Sequence, residues 1–234
     1  MKFKYPNKIP LVICIFFLVV TVAKSQPTAG TTGLLSIPSA QMQQNGTFIM
    51  GVNYLPDIIT PEPFNYNTGN YYLNITFLPF IEINYKMTLY NVNNRYNHQD
   101  RSFALRMRFL KENNILPSLV VGANDVYTSA EKGNQHFGAM YTVVTKHFML
   151  SENKLGITIG YGFVPFRNNR YVGLFGGISF SPYFFNQLNL VVEYDSNHFN
   201  IGSSLLIAKH LNLVMFICDF KDIVGGIAYK IYLE

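Results

Sequence analysis

The side chains able to do chemistry in this sequence are few, and their spacing favours binding over bond-making. Glu82, Lys86, Arg106, Arg108, Glu193 and Lys230 stand at alternate positions between large apolar residues. They therefore share the polar faces of the segments that carry them. Carboxylates and guanidinium groups form strong, often bidentate, charge-assisted hydrogen bonds. On an enclosed surface such a set binds or guides a polar polymer, or its opposite charges pair across neighbouring strands and brace them. Lys86, Arg106 and Arg108 make one wall locally basic, which suits an acidic polymer. A second set, Asn93, Asn94, Arg95, Arg167, Asn168, Asn169 and Arg170, falls in polar connections. Asn and Arg hydrogen-bond sugar hydroxyls and acidic groups, and Asn is also a common turn former.

A catalytic constellation is not evident. Gly177-Ile178-Ser179-Phe180-Ser181 fails the nucleophile-elbow pattern at its last position. His98, His136, His147, His198 and His210 show no metal spacing, so no metal and no cofactor are expected. Gly160-Tyr161-Gly162 lacks the third glycine and the strand-to-helix setting of a nucleotide loop, and reads as small residues on an inner face. Ser102 beside His98 or His136 is the one arrangement that a membrane-embedded lipid-modifying enzyme could use, and it has no identifiable orienting acid.

These side chains need scaffolding, and the scaffold is legible. From residue 46 onward the chain alternates with a period of two, the mark of β-strands. Leu155, Ile157, Ile159, Tyr161 and Phe163, for example, interleave with Gly156, Thr158, Gly160 and Gly162. Twelve segments follow, near 46–55, 70–77, 80–90, 101–110, 118–127, 137–148, 154–163, 171–181, 187–195, 198–208, 211–219 and 223–233. Ordinary strands peak at about five or six residues, whereas a tilted membrane-spanning strand needs about 9–11. The fold expected is all-β, a transmembrane antiparallel barrel of about 12 strands. Longer connections at 56–69, 91–100, 128–136 and 164–170 alternate with tighter turns, the asymmetry of bacterial outer-membrane barrels. Trp is absent, so an interfacial girdle must use Tyr54, Tyr71, Tyr85, Tyr161, Tyr171, Tyr194 and Tyr229.

Composition agrees. Among 234 residues only 13% are charged against 49% hydrophobic and 15% aromatic, where soluble domains carry about 25% charged residues. That excludes disorder. Lys2, Lys4 and Lys8 precede the apolar run Leu11 to Ala23, with Ala23 and Ser25 placed for cleavage, so residues 1–25 read as a secretory signal peptide. Without Lys2, Lys4, Lys8 and Lys24 the 18 basic residues fall to 14 against 13 acidic, and the net charge drops from +5 to +1. A nucleic-acid partner is not expected. Cys218 alone then remains of the two cysteines, so no internal disulfide forms. The organisation expected is a signal peptide (1–25), an extended N-terminal segment (26–45) and the barrel (46–234).

One stretch carries a resemblance. Gly30-Thr31-Thr32-Gly33-Leu34-Leu35-Ser36-Ile37-Pro38-Ser39-Ala40, followed by Asn45-Gly46-Thr47, resembles the opening of the YjbH-like family of outer-membrane exopolysaccharide proteins. Asp100-Arg101-Ser102-Phe103, Pro117-Ser118-Leu119 with Gly122 and Asp125, and Thr145-Lys146-His147-Phe148 extend it to about residue 165. The resemblance implies an outer-membrane barrel associated with exopolysaccharide or capsule production or export, and the function expected is a non-enzymatic one that assists it. Its partners would be outer-membrane lipid, polysaccharide and export machinery. The alternatives are a structural or passive diffusion barrel and the lipid-modifying enzyme. The family offers no catalytic residue to carry over.

Overall fold

The computed structural model describes residues 28–60, 66–92, 95–128, 137–165 and 169–233. Twelve strands run in chain order: β1 (Thr47–Leu55), β2 (Thr68–Phe77), β3 (Ile81–Val92), β4 (Arg95–Leu110), β5 (Ser118–Thr128), β6 (Ala139–Leu150), β7 (Asn153–Phe163), β8 (Gly173–Ser181), β9 (Leu188–Tyr194), β10 (Phe199–Ile207), β11 (Leu211–Cys218) and β12 (Asp222–Tyr232). Each pairs antiparallel with its neighbours in sequence, and β1 pairs with β12 to close the barrel. Closure leaves neither the first nor the last strand as a free edge, and the start of β4, residues 95–101, extends past its β5 neighbour.

The period-two pattern places side chains as expected. On β7, Ile157, Ile159, Tyr161 and Phe163 are exposed on the outside, while Thr158 is buried inside. The same inversion holds on β1, β2, β4 and β9: Met50, Val52, Leu73, Phe103, Leu105, Leu190 and Val192 face out, and Asn53, Asn70, Asn74, Arg106 and Glu193 face in. Apolar outside and polar inside is the reverse of a protein that folds around an oily core in water.

One expected loop is a tight connection instead. β3 and β4 extend past the expected strand ends and pair from Ile81↔Met107 to Val92↔Arg95, with an irregularity near Tyr90. The connection thus shrinks from 91–100 to residues 93–94. Backbone pairing does not require the apolar alternation that marks the rest of the strand, so the polar run Arg95–Arg101 hid its strand character. Tyr171, assigned to the girdle, instead faces inward, 1% exposed.

Three inward glycines are explained by their cross-strand partners. Gly51, Gly122 and Gly160 pair with Tyr72, Tyr141 and Phe175. Each aromatic ring lies over its glycine, so an added Cβ would come within 2.4, 2.5 and 2.1 Å of ring atoms. On the Gly160-Tyr161-Gly162 run, Gly160 makes room for the Phe175 ring and Gly162 for the Tyr171 backbone.

Candidate functional site: a lumen filled by the chain itself

An eight-stranded barrel is filled by its own side chains, and one of 16 strands leaves a channel. A 12-stranded barrel has space to fill, and residues 28–45 fill it. Expected as an extended arm, this stretch is a compact coil inside the barrel. Gly33 and Pro38 form an isolated antiparallel bridge, Leu34 N–H donates to Ile37 O (2.9 Å), and Thr28 N–H donates to Leu35 O (3.1 Å). Leu35, Ile37 and Ala40 are completely buried and Met42 nearly so. They share one apolar cluster with Val120, Tyr141, Tyr171, Phe175 and Phe216 of the walls.

A non-strand segment in a barrel interior brings backbone N–H and C=O groups that must find partners. The lumen charges supply them. Glu82 and Arg106 are directly paired across β3 and β4. Their side chains are fully buried, with Arg106 Nη1 3.0 Å from Glu82 Oε2. Thr32 N–H donates to Glu82 Oε1 (2.6 Å), and Arg106 Nη1 donates to Thr32 O (2.6 Å). Arg106 Nη2 reaches Ser39 O and Gln41 O. Glu193 accepts from Leu35 N–H (2.9 Å) and Ser36 N–H (2.6 Å). Lys230 Nζ donates to Gln43 Oε1 at 3.4 Å.

Two expected site residues have other partners. Lys86 is buried against the Phe137 ring, 4.3 Å from its centroid. Arg108 shares the inward face of β4 with Arg106 but sits near the strand end, where it donates to Pro79 O in an exposed contact. The expected basic wall is also absent. Among the described residues the buried charges are Lys86, Arg106, Arg170 and Lys230 against Glu82, Asp100, Asp125, Glu193 and Asp195. Opposite charges set against one another leave the interior nearly neutral. The charges do brace neighbouring strands, as Glu82 and Arg106 do, and in the same geometry they grip residues 32–43.

Of the connection set, Asn93, Asn94, Arg167 and Asn168 lie outside the described residues, as does the side chain of Arg95. Arg170 turns inward rather than toward a sugar: it is 8% exposed and donates to Ile59 O, Ser36 Oγ (2.8 Å) and Asp195 Oδ2 (3.0 Å). Ser102 is buried and paired with Lys86 across the sheet. His136 and the side chain of His98 lie outside the described residues, as does the 1–25 segment.

Several anchors escaped sequence reasoning. Asn53 and Asn70 both donate to Thr28 O (3.2 and 3.1 Å), and Asn74 and Asn84 both donate to Gly30 O (3.1 and 2.9 Å). Tyr171 OH donates to Ser36 O (2.7 Å), and Ser118 Oγ donates to Ala40 O (2.8 Å). Gly30 needs its type: φ is +82°, and a Cβ there would lie 2.7 Å from the Tyr72 ring. The readable signal was inward-facing asparagine on three consecutive strands. A carboxamide donates to a carbonyl without adding charge to a closed interior.

One chain of contacts runs from the lumen to a turn. Gln41 Nε2 lies 2.6 Å from His147 Nε2, and His147 Nδ1 lies 2.6 Å from Glu112 Oε2. A neutral imidazole carrying its proton on Nδ1 satisfies both partners. Glu112, in the 111–117 connection, also accepts from His147 N–H and lies 3.8 Å from Lys146 Nζ. Partial burial raises its pKa, but the side-chain and backbone hydrogen bonds from His147, together with the Lys146 charge, outweigh it and hold the carboxyl below its ordinary range. A void beside the coil, lined by Gly33, Gln41, His147 and Ser179 among others, is about 20 Å³, enough for roughly one water.

The family model described as "Exopolysaccharide biosynthesis protein YbjH" matches residues 25–204, from the coil into β10. An "Uncharacterized lipoprotein YjbH" of Escherichia coli (strain K12) is 25% identical over 220 residues, covering 76% of this chain. The chain spans only 29% of that relative's length. With the family model covering well over half of it, the chain belongs to the YjbH family.

Proposed function

We propose that this protein is a bacterial outer-membrane barrel that assists exopolysaccharide or capsule production or export, without catalysing a reaction. The observation that carries the polysaccharide role is the family match, whose description names exopolysaccharide biosynthesis. The membrane location is supported by the inverted faces of the barrel. A band of exposed Leu, Ile, Val, Phe and Tyr around a closed sheet suits hydrocarbon, where all backbone groups must pair internally. The lipoprotein relative fits an envelope location.

The filled lumen shapes the role. Glu82, Arg106 and Glu193 make hydrogen bonds with the chain's own residues 32–41, so these three charges are already engaged in this state. The protein is read as an accessory that holds polysaccharide or export machinery at the membrane through its outer surfaces, rather than as the conduit. The test pairs fractionation with polysaccharide measurement in a strain lacking the gene. The protein should fractionate with outer membranes and migrate faster on gels when unheated, and its loss should lower surface polysaccharide. Recovery in the soluble periplasm would overturn the location, and unchanged polysaccharide would overturn the role.

A passive diffusion barrel is the second reading, and the filled lumen disfavours it. Planar-bilayer conductance should be negligible for the intact chain and should appear when residues 28–45 are deleted. Steady conductance from the intact chain would favour the diffusion reading.

A further inference from the structure

At the barrel end where β9 meets β10 and β11 meets β12, three side chains of metal-ligand type converge. A ring nitrogen of His198, the Cys218 sulfur and an Asp219 carboxylate oxygen all lie within 4.8 Å of one another. We propose that His198, Cys218 and Asp219 form a site for one divalent transition-metal ion of the zinc class.

The backbone holds the three in place. Cys218 ends β11, paired with Asn200 of β10 and Asp222 of β12, and its side chain is fully buried. Asp219 follows with φ +48°. Its Oδ1 accepts from Phe199 N–H (2.8 Å) and its Oδ2 lies 2.7 Å from His198 Nδ1. Its own N–H donates to Phe199 O (2.8 Å). His198 is fixed from the other side, since its N–H donates to Asp195 Oδ1 (2.8 Å). The two connections are thus clamped against each other.

The donor set selects the ion. Thiolate, imidazole and carboxylate together suit zinc and its borderline neighbours rather than calcium or magnesium, which prefer all-oxygen shells. Ligand atoms around tetrahedral zinc stand roughly 3.3–3.8 Å apart, given metal–ligand bonds of about 2.0–2.3 Å. The cluster therefore closes on an ion with side-chain movements of about 1 Å. Asp195 stands outside the converging group, and its carboxylate serves the frame instead: Oδ2 takes Arg170 and Ser36 while Oδ1 takes the His198 and Asn197 backbone. His198 and Asp219 are each partly exposed, so the ion enters from their side and a water completes the shell. A simple ion pair between His198 and Asp219 would tie the loops without any cysteine; the buried thiol beside it is what points to a metal.

The test uses the folded barrel in detergent, with Cys14→Ser so that Cys218 is the sole thiol. Cobalt(II) is added as a spectroscopic stand-in, followed by zinc in competition with a chelating dye. One equivalent should bind per chain, with a near-ultraviolet thiolate-to-cobalt charge-transfer band that zinc displaces. Cys218→Ser should abolish the band, and His198→Ala should lower zinc affinity at least about tenfold. Heat-modified gel mobility checks that each variant still folds. Should Cys218→Ser not fold, zinc protection of Cys218 from maleimide labelling in the parent chain gives the same answer. A cobalt complex without the thiolate band, or labelling unaffected by zinc, would overturn the proposal.

Discussion

Arg106 and Glu82 grip the same residue through both of its backbone groups: the carboxylate takes the Thr32 N–H while the guanidinium takes the Thr32 carbonyl, and the two side chains pair with each other at 3.0 Å. The ion pair therefore belongs to the walls and to the coil at once. Removing one member leaves the other charged, buried and alone, which costs about 3–5 kcal/mol. Arg106→Gln and Glu82→Gln should each lower the unfolding midpoint of the detergent-solubilised barrel strongly. The double variant should lose much less than the sum of the two. Additive losses in that cycle would mean that the two residues act independently.

Arg108→Gln should cost under about 1 kcal/mol in the same measurement, because its contact with Pro79 O is exposed at the strand end. A loss comparable to that of Arg106→Gln would show that Arg108 is as deeply enclosed as Arg106.

The two faces of β7 should respond differently to Arg. Ile159 is 59% exposed on the apolar side, and Ile159→Arg should cost roughly 2–4 kcal/mol near the bilayer midplane. Thr158 faces a lumen already occupied, its Oγ1 2.9 Å from Thr145 Oγ1, which in turn accepts from Ala40 N–H. Thr158→Arg should also be damaging, and deleting residues 28–45 should relieve it but not Ile159→Arg. If the deletion relieves neither, crowding by the coil is not the cause.

Gly160→Val should destabilise by about 1–3 kcal/mol through overpacking against the Phe175 ring. Combining it with Phe175→Ala should cost less than the two changes summed. Thermal unfolding of the three variants reads this coupling directly.

Glu112 contributes to acid sensitivity. Its carboxyl is held below its ordinary value of about 4.3, by His147 and Lys146, with Lys154 also near. The unfolded chain therefore binds the proton first as pH falls. The stability this provides is complete above the ordinary value and is lost as pH drops through the depressed one. Glu112→Gln should be less stable than the parent at pH 7 and should show a shallower loss below about pH 4. Identical acid profiles would remove Glu112 from this role.

Much of the barrel was readable from side-chain alternation alone. β5, β7 and β11 begin and end within about a residue of expectation, because residues such as Ile157, Ile159 and Tyr161 must face one way and Thr158 the other. The start of β4 was not readable, since Arg95 to Arg101 carry polar side chains on a backbone that still pairs. Glu82, Arg106, Glu193 and Lys230 were legible as inward charges, but their partners were not. Leu35 N–H meets a carboxylate 158 positions away, and Thr32 one 50 positions away. Residues 28–45 carry no period of two or 3.6, so no pattern announced that they fold inside.

The coil has a consequence for the order in which the molecule is made. It is joined to β1 by a link so short that Gly46 N–H already bonds Thr76 O and Gly46 O accepts from Leu233 N–H. The seam between β1 and β12 joins the first strand to the last, so the ring cannot shut until the final strand is available. A stretch packed against β3, β4, β6 and β9 at once is hard to thread through a finished wall. The barrel is therefore expected to curl around its own beginning, with the earliest residues serving as the template over which the later strands close.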